Sequence, residues 1–144
     1  MKRAAETEKE GRIRSENRVT KLDDEIPLDV AVLFGCAIPT GAGIVMNDIA
    51  PKENSSIAIF GLGGIGLSAL MATKLFNLKN IIAIDIEDSK LELAKKFGAT
   101  HTINSLNHYP IDEIQSITNN IGVEYSVEAT GLASIIETAF KSVK

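Results

Sequence analysis

Two short runs, residues 55–60 (S-S-I-A-I-F) and 80–85 (N-I-I-A-I-D), are almost continuously apolar. A strand buried on both faces of a parallel sheet reads this way, whereas a half-exposed strand alternates. Between them Leu67, Leu70, Met71, Leu75 and Leu78 recur at helical spacing, with Lys74, Asn77 and Lys79 on much of the other side. That pattern predicts an amphipathic helix lying on the sheet. After the second run, Ser89-Lys-Leu-Glu92 has the form of a capping box, with Leu91, Ala94 and Phe97 as a buried face and Gly98 as the C-terminal glycine. Residues 100–104 predict a weaker third strand, and Ile111, Ile114 and Ile117 a third helix. Residues 122–128 predict a fourth strand, and Ile135, Ile136, Ala139, Phe140 and Val143 a last amphipathic helix.

Upstream, residues 29–34 predict a short helix stopped near Gly35, and residues 44–46 part of a second one. Pro39, Gly41 and Gly43 between them suggest a tight connection. Strand and helix therefore alternate about four times. Parallel strands need such crossovers, which are almost always right-handed, so the fold class is α/β with a doubly wound parallel sheet.

Charge changes the picture at the N-terminus. Of residues 1–25, 7 are basic and 7 acidic, while the other 119 carry 20 charges. So little apolar surface cannot offset chain entropy, and residues 1–14 read as a disordered or loosely helical tail. A mitochondrial presequence is the rival reading, opposed by Glu6, Glu8 and Glu10. Residues 15–54 read as a linker with helices, and residues 55–144 as the sheet domain.

The net charge of −4 and an aromatic content of 5% without tryptophan argue against a nucleic-acid partner. No apolar run reaches the roughly 18 residues of a membrane span. One cysteine cannot form an internal disulfide, which suits a reducing, cytoplasmic setting.

The most informative segment is the one leaving the first strand. Gly61, Gly63 and Gly66 fit G-x-G-x-x-G between a buried strand and a helix, and Asp85 ends the next strand 19 residues after Gly66. Gly61 permits a sharp turn, Gly63 lets backbone approach a pyrophosphate, and Gly66 lets the helix lie close to the sheet. The pyrophosphate would rest on helix N-terminal amides, where the dipole favours an anion. Asp85 would accept hydrogen bonds from ribose hydroxyls and repel a 2′-phosphate, favouring NAD over NADP. The fold expected is a Rossmann-type dinucleotide-binding sheet. A bare tight turn with a solvated Asp85, or a methyltransferase sheet holding S-adenosylmethionine, are the rival readings.

The wording around this fingerprint resembles the zinc-containing medium-chain alcohol dehydrogenases. Residues 35–43 (G-C-A-I-P-T-G-A-G), 60–66 (F-G-L-G-G-I-G), 84–86 (I-D-I), Lys90, 95–100 (K-K-F-G-A-T) and 127–131 (V-E-A-T-G) carry the likeness, which extends over roughly residues 15–144. The resemblance implies NAD as cofactor and Cys36 as one ligand of a catalytic zinc. It implies Thr40 beside the nicotinamide ring and Gly64 and Ile65 giving backbone contacts to pyrophosphate. It also implies Asp85, Ile86 and Lys90 around the ribose, with Ala129 and Thr130 lining the path between the two bases. The reaction implied is reversible oxidation of a small alcohol to an aldehyde or ketone.

Two departures shape the expectation. A catalytic zinc keeps three protein ligands, and no counterpart to the family's other ligands precedes Cys36; His101 and His108 read as ordinary strand-end and surface histidines. Four strands are also two short of the six in a full dinucleotide fold. The chain is therefore expected to be an NAD-binding portion truncated after about four strands, inactive by itself, with its fourth strand an open edge inviting homo-oligomer formation. A non-catalytic module for assembly or regulation, and a zinc-free quinone or enoyl reductase, are the alternatives.

Overall fold

The computed structural model describes residues 21–144. The tail expected over residues 1–14 lies outside them. The chain divides into two compact units, residues 1–31 and 32–144. In the first, the described part holds a turn closed by the Ile26 N–H on the Asp23 carbonyl and a short helix α1 (Leu28–Ala31).

The second unit is built on four parallel strands, β1 (Ser56–Phe60), β2 (Asn80–Asp85), β3 (His101–Asn104) and β4 (Tyr125–Glu128), ordered β3-β2-β1-β4. Pairing runs Ser56 to Asn80, Ile57 to Tyr125 and Ile82 to His101 at the strand starts. Both central strands are buried along their whole length, as their continuous apolar runs predict.

Alternate residues of β1 enter two separate cores. Ile57 and Ile59 pack with Leu70, Ala69, Leu91, Ala94 and Val127, beneath α3 (Gly64–Ala72) and α4 (Asp88–Phe97). Ala58 and Phe60 pack with Ile82, Ile84, Ile114 and Ala139, beneath α5 (Pro110–Ile117) and α6 (Ala133–Lys141). The chain thus winds one way from β1 through β2 to β3, then returns to lay β4 on the other side of β1. That reversal makes the C-terminal end of β1 a topological switch point, where ligands of open α/β sheets bind.

Several local expectations fail, each for a definable reason. The tight connection expected at Pro39–Gly41–Gly43 is instead a helix, α2 (Ala37–Gly43), running into a wider π-type turn (Ile44–Ile49). Proline at the third helical position removes an N–H that has no intrahelical acceptor there. Gly41 is buried in a helix contact rather than placed in a turn.

α3 is not the amphipathic helix its leucines suggest. It ends at Ala72 with a 3-10 turn to Leu75, so Leu78 lies beyond it, and Met71 and Leu75 are exposed. Its buried positions are mostly small: Gly66, Ser68, Ala69 and Ala72 besides Leu70. The sheet covers one side of α3 and α2 packs densely on another, so small residues face in from both directions.

The capping box at Ser89–Glu92 does not form, because the helix begins at Asp88, two residues before the Lys90 that a Ser89 cap requires, with Glu87 as its uncapped N-terminal neighbour. The predicted C-terminal glycine is correct: Gly98 adopts φ 109° and its N–H returns to the Lys95 carbonyl. β4 is shorter than the run 122–128. Val123 instead bridges Val143, which lies past the end of α6. On α6 itself Ala139 is buried, but Ile136 and Phe140 are 51% and 81% exposed. No single helix among the described residues is long and apolar enough to cross a membrane.

Candidate functional site

The glycine turn sits at the switch point. Gly61 has φ 86°, a backbone region unfavourable to L side chains. Its N–H donates to the Ile84 carbonyl, and a Cβ placed there would meet the Thr130 methyl at 2.6 Å. A Cβ on Gly66 would lie 1.8 Å from the Gly61 carbonyl oxygen. Gly66 is thus the point at which α3 presses onto the turn. Gly63, by contrast, has nothing within 4 Å of its Cβ position and is exposed. Two glycines are required by the protein's own packing, and the third leaves open space.

α3 starts at Gly64 with no side chain capping it. The Leu67 N–H is the first to close on the turn, donating to the Gly63 carbonyl. The amides of Gly63, Gly64, Ile65 and Gly66 precede it, in the positions that lack acceptors within a helix. An uncapped, exposed helix N-terminus beside an open glycine is suited to an anion.

Asp85 closes the site from β2. It is only 8% exposed, and three backbone N–H groups hold its carboxylate. Leu62 donates to Oδ2 at 2.7 Å, while Ile86 and Glu87 donate to Oδ1 at 2.8 and 3.0 Å. Of the roughly four acceptor positions of a carboxylate, these bonds use two on Oδ1 and one on Oδ2. The Leu62 bond also ties the glycine turn directly to β2, a link the spacing of Gly61 and Asp85 does not disclose. Ile86 is exposed at the lip. Lys90 reaches Glu87 at 2.8 Å and Asp85 at 3.9 Å. The hydrogen bond to Glu87 outweighs slight desolvation and holds the Lys90 ammonium above its usual range, with Asp85 adding to the effect.

The opposite wall comes from the end of β4. The Ala129 N–H donates to the Phe60 carbonyl, continuing the ladder past the strand. Thr130 is fixed by Glu128, whose Oε1 accepts both its N–H, at 2.6 Å, and its hydroxyl. Glu128 also accepts the Gly131 N–H. Glu128 thus shapes this wall, although as the second residue of V-E-A-T-G it is legible only as part of a phrase.

Cys36 and Thr40 lie one helical turn apart at the start of α2, both exposed, with Sγ and Oγ1 4.0 Å apart. Among the described residues no group of three His, Cys, Asp or Glu side chains could share a metal ion. Catalytic zinc needs three protein ligands, so these residues do not by themselves fit one. His101 bonds the neighbouring Thr100 and His108 pairs with Glu113 at 3.1 Å, both on the surface. Two concavities of about 240 and 400 Å³ lie elsewhere, one between α4 and the end of β3, the other at the opposite end of the sheet around Lys52 and Glu124. The glycine turn lines neither.

A doubly wound parallel sheet with a glycine turn at its switch point and an acid ending the next strand defines a Rossmann-type domain, present here as four strands. Residues 64–144 match the family described as zinc-binding dehydrogenase, and the chain belongs to that family. It is 40% identical over 126 residues to alcohol dehydrogenase 2 of Zea mays, covering 87% of this chain and 33% of that protein. The crystal structure of benzyl alcohol dehydrogenase from Acinetobacter calcoaceticus superposes with a TM-score of 0.78 at 40% identity, covering 86% of this chain and 34% of that one. An alcohol dehydrogenase zinc-binding domain protein from Burkholderia ambifaria gives 0.77 at 42% identity, covering 85% and 33%. The chain therefore spans about a third of the length of the relatives it matches.

Proposed function

We propose that the C-terminal end of β1 binds NAD, and that this chain is the NAD-binding portion of a zinc-dependent alcohol dehydrogenase of the cytoplasm. The observation that carries this is the pairing of an open Gly63 over an uncapped helix N-terminus with the fixed carboxylate of Asp85. Gly63, Gly64 and Ile65 would hold the pyrophosphate through their amides, with Gly61 and Gly66 shaping the turn beneath it. Asp85 would take a ribose hydroxyl on its remaining Oδ2 acceptor position, flanked by Ile86 and Lys90. Its negative charge, beside that of Glu87, disfavours a 2′-phosphate and hence NADP.

Ala129 and Thr130 would line the passage toward the nicotinamide, with Thr40 beside the ring. Bound NAD supplies a hydride acceptor, and an alcohol would leave as an aldehyde or ketone. Cys36 would contribute one zinc ligand, the others coming from segments other than the described residues. Residues 55–144 alone are accordingly a binding domain without turnover. Their open β4 edge also favours self-association, to be measured by sedimentation.

Titration with NAD, followed by amide NMR and calorimetry, tests the reading. Shifts at Gly63, Gly64 and Asp85 saturating at millimolar NAD or below are expected. An unperturbed spectrum at those residues would sink it.

A further inference from the structure

Gly41 lies outside the fingerprint, yet it is the buried residue of α2. A Cβ there would sit 2.1 Å from the Ile65 carbonyl oxygen, 2.8 Å from the Ser68 Cβ and 2.9 Å from the Ala69 nitrogen. The obstacles are chiefly backbone of the first turns of α3, so no side chain can swing aside. One turn earlier the Ala37 Cβ stands 3.3 Å from the Cβ position of Gly64. The first turn of α2, with Cys36 and Thr40, is thereby set against the first turn of α3.

The two helices are not equally free to yield. α3 is clamped to the sheet through Gly66 on the Gly61 carbonyl. α2 is an outer layer, with Cys36, Pro39 and Thr40 exposed and only Gly41 buried. A methyl at position 41 would therefore lift α2 by on the order of 1 Å and leave α3 and Asp85 in place.

From this we infer that Gly41 is a positioning residue of the cofactor site: its missing side chain sets Cys36 and Thr40 at their distance from the glycine turn. The inference rests on the proposed placement of the dinucleotide, with the adenosine half at Asp85 and the nicotinamide half toward Thr40. It separates the two halves. ADP-ribose lacks the nicotinamide ring that would lie beside Thr40 on α2, whereas NAD carries it.

The test compares affinities of ADP-ribose and NAD for the chain and for Gly41→Ala by calorimetry. Gly41→Ala should leave ADP-ribose within about twofold and weaken NAD by about fivefold, bringing the two nucleotides together. Leu91→Ala, which loosens the core under α4, should leave the ratio of NAD to ADP-ribose affinity unchanged, so general destabilisation is distinguished from displacement. Should Gly41→Ala not fold, Ala37→Leu applies the same lift from a half-buried position and should give the same split.

Equal weakening of both nucleotides, no change in either, or a native chain that binds ADP-ribose as tightly as NAD would overturn the inference while leaving the site itself standing. A native chain that binds neither nucleotide overturns the site and the inference together.

Discussion

α3 and α6 lie on opposite faces of one sheet, are nine residues long each, and carry similar numbers of apolar residues. They pack in opposite ways. α3 lies between the sheet and α2, buries Gly66, Ser68, Ala69 and Ala72, and meets backbone on both sides. α6 buries Ala139 fully and Ile135 in part, and presents Ile136 and Phe140 to solvent, in line with the exposed Leu132 that precedes it. Close packing here follows from the number of covering layers. Where a second layer exists, small residues bring backbones together, and the glycine turn is held rigidly as a result.

The contrast between the two helices depends most on Gly66. Gly66→Ala places a methyl 1.8 Å from a backbone carbonyl and should cost about 3 kcal/mol or more, since overpacking at backbone cannot relax. Urea denaturation would register this as a lower midpoint or as a chain unfolded in water. A variant of undiminished stability would show that α3 does not depend on the turn.

Asp85→Asn sharpens the same side. It replaces an acceptor of three backbone N–H groups by an amide with one acceptor oxygen, at a cost of about 1–3 kcal/mol. Thermal melts would show the loss. Affinity for NAD should fall as well, with NADP discrimination relaxed.

A smaller effect is expected where β4 meets the chain end. Glu124 accepts the Ser56 N–H and the Lys144 ammonium, and these overcome partial desolvation to hold its carboxyl below the usual range. A depressed folded pKa gives stability that is present above the unfolded value and lost as pH falls through the folded one. Glu124→Gln should therefore remove about 1 kcal/mol or less near neutrality and nothing at low pH. Stability measured from pH 7 down to pH 3 should show the native and variant curves converging.

The smallest effect belongs to Phe140. Phe140→Ser, at a site 81% exposed, should change stability by no more than about 0.5 kcal/mol while reducing any self-association seen by sedimentation. A loss of several kcal/mol would mean that the α6 side is covered, and would erase the contrast with α3.

Much of this architecture was legible in the chain. The apolar runs in β1 and β2, Gly98 at the end of α4, and the spacing from Gly61 to Asp85 all express local rules: continuous burial, a left-handed cap, a turn without a side chain. α2 was hidden because Pro39, Gly41 and Gly43 are the residues of turns, and only a neighbouring helix explains a glycine in mid-helix. Glu128 and Leu62 were hidden because their partners, Thr130 and Asp85, meet them through folded geometry that sequence spacing does not reveal. The amphipathic reading failed for α3 and held for α6, whose apolar side is only partly covered, since periodicity identifies an apolar side without counting the layers that cover it.

By itself, then, the sequence determined the strand–helix alternation, the glycine turn and the acid that ends β2, because each depends on the conformational limits of a few adjacent residues. Tertiary structure decided which acceptor positions of Asp85 the backbone amides use, which glycines are packing contacts, and how α2 is set on α3. Those depend on contacts between segments distant in sequence, where a displacement of one ångström decides whether a side chain fits.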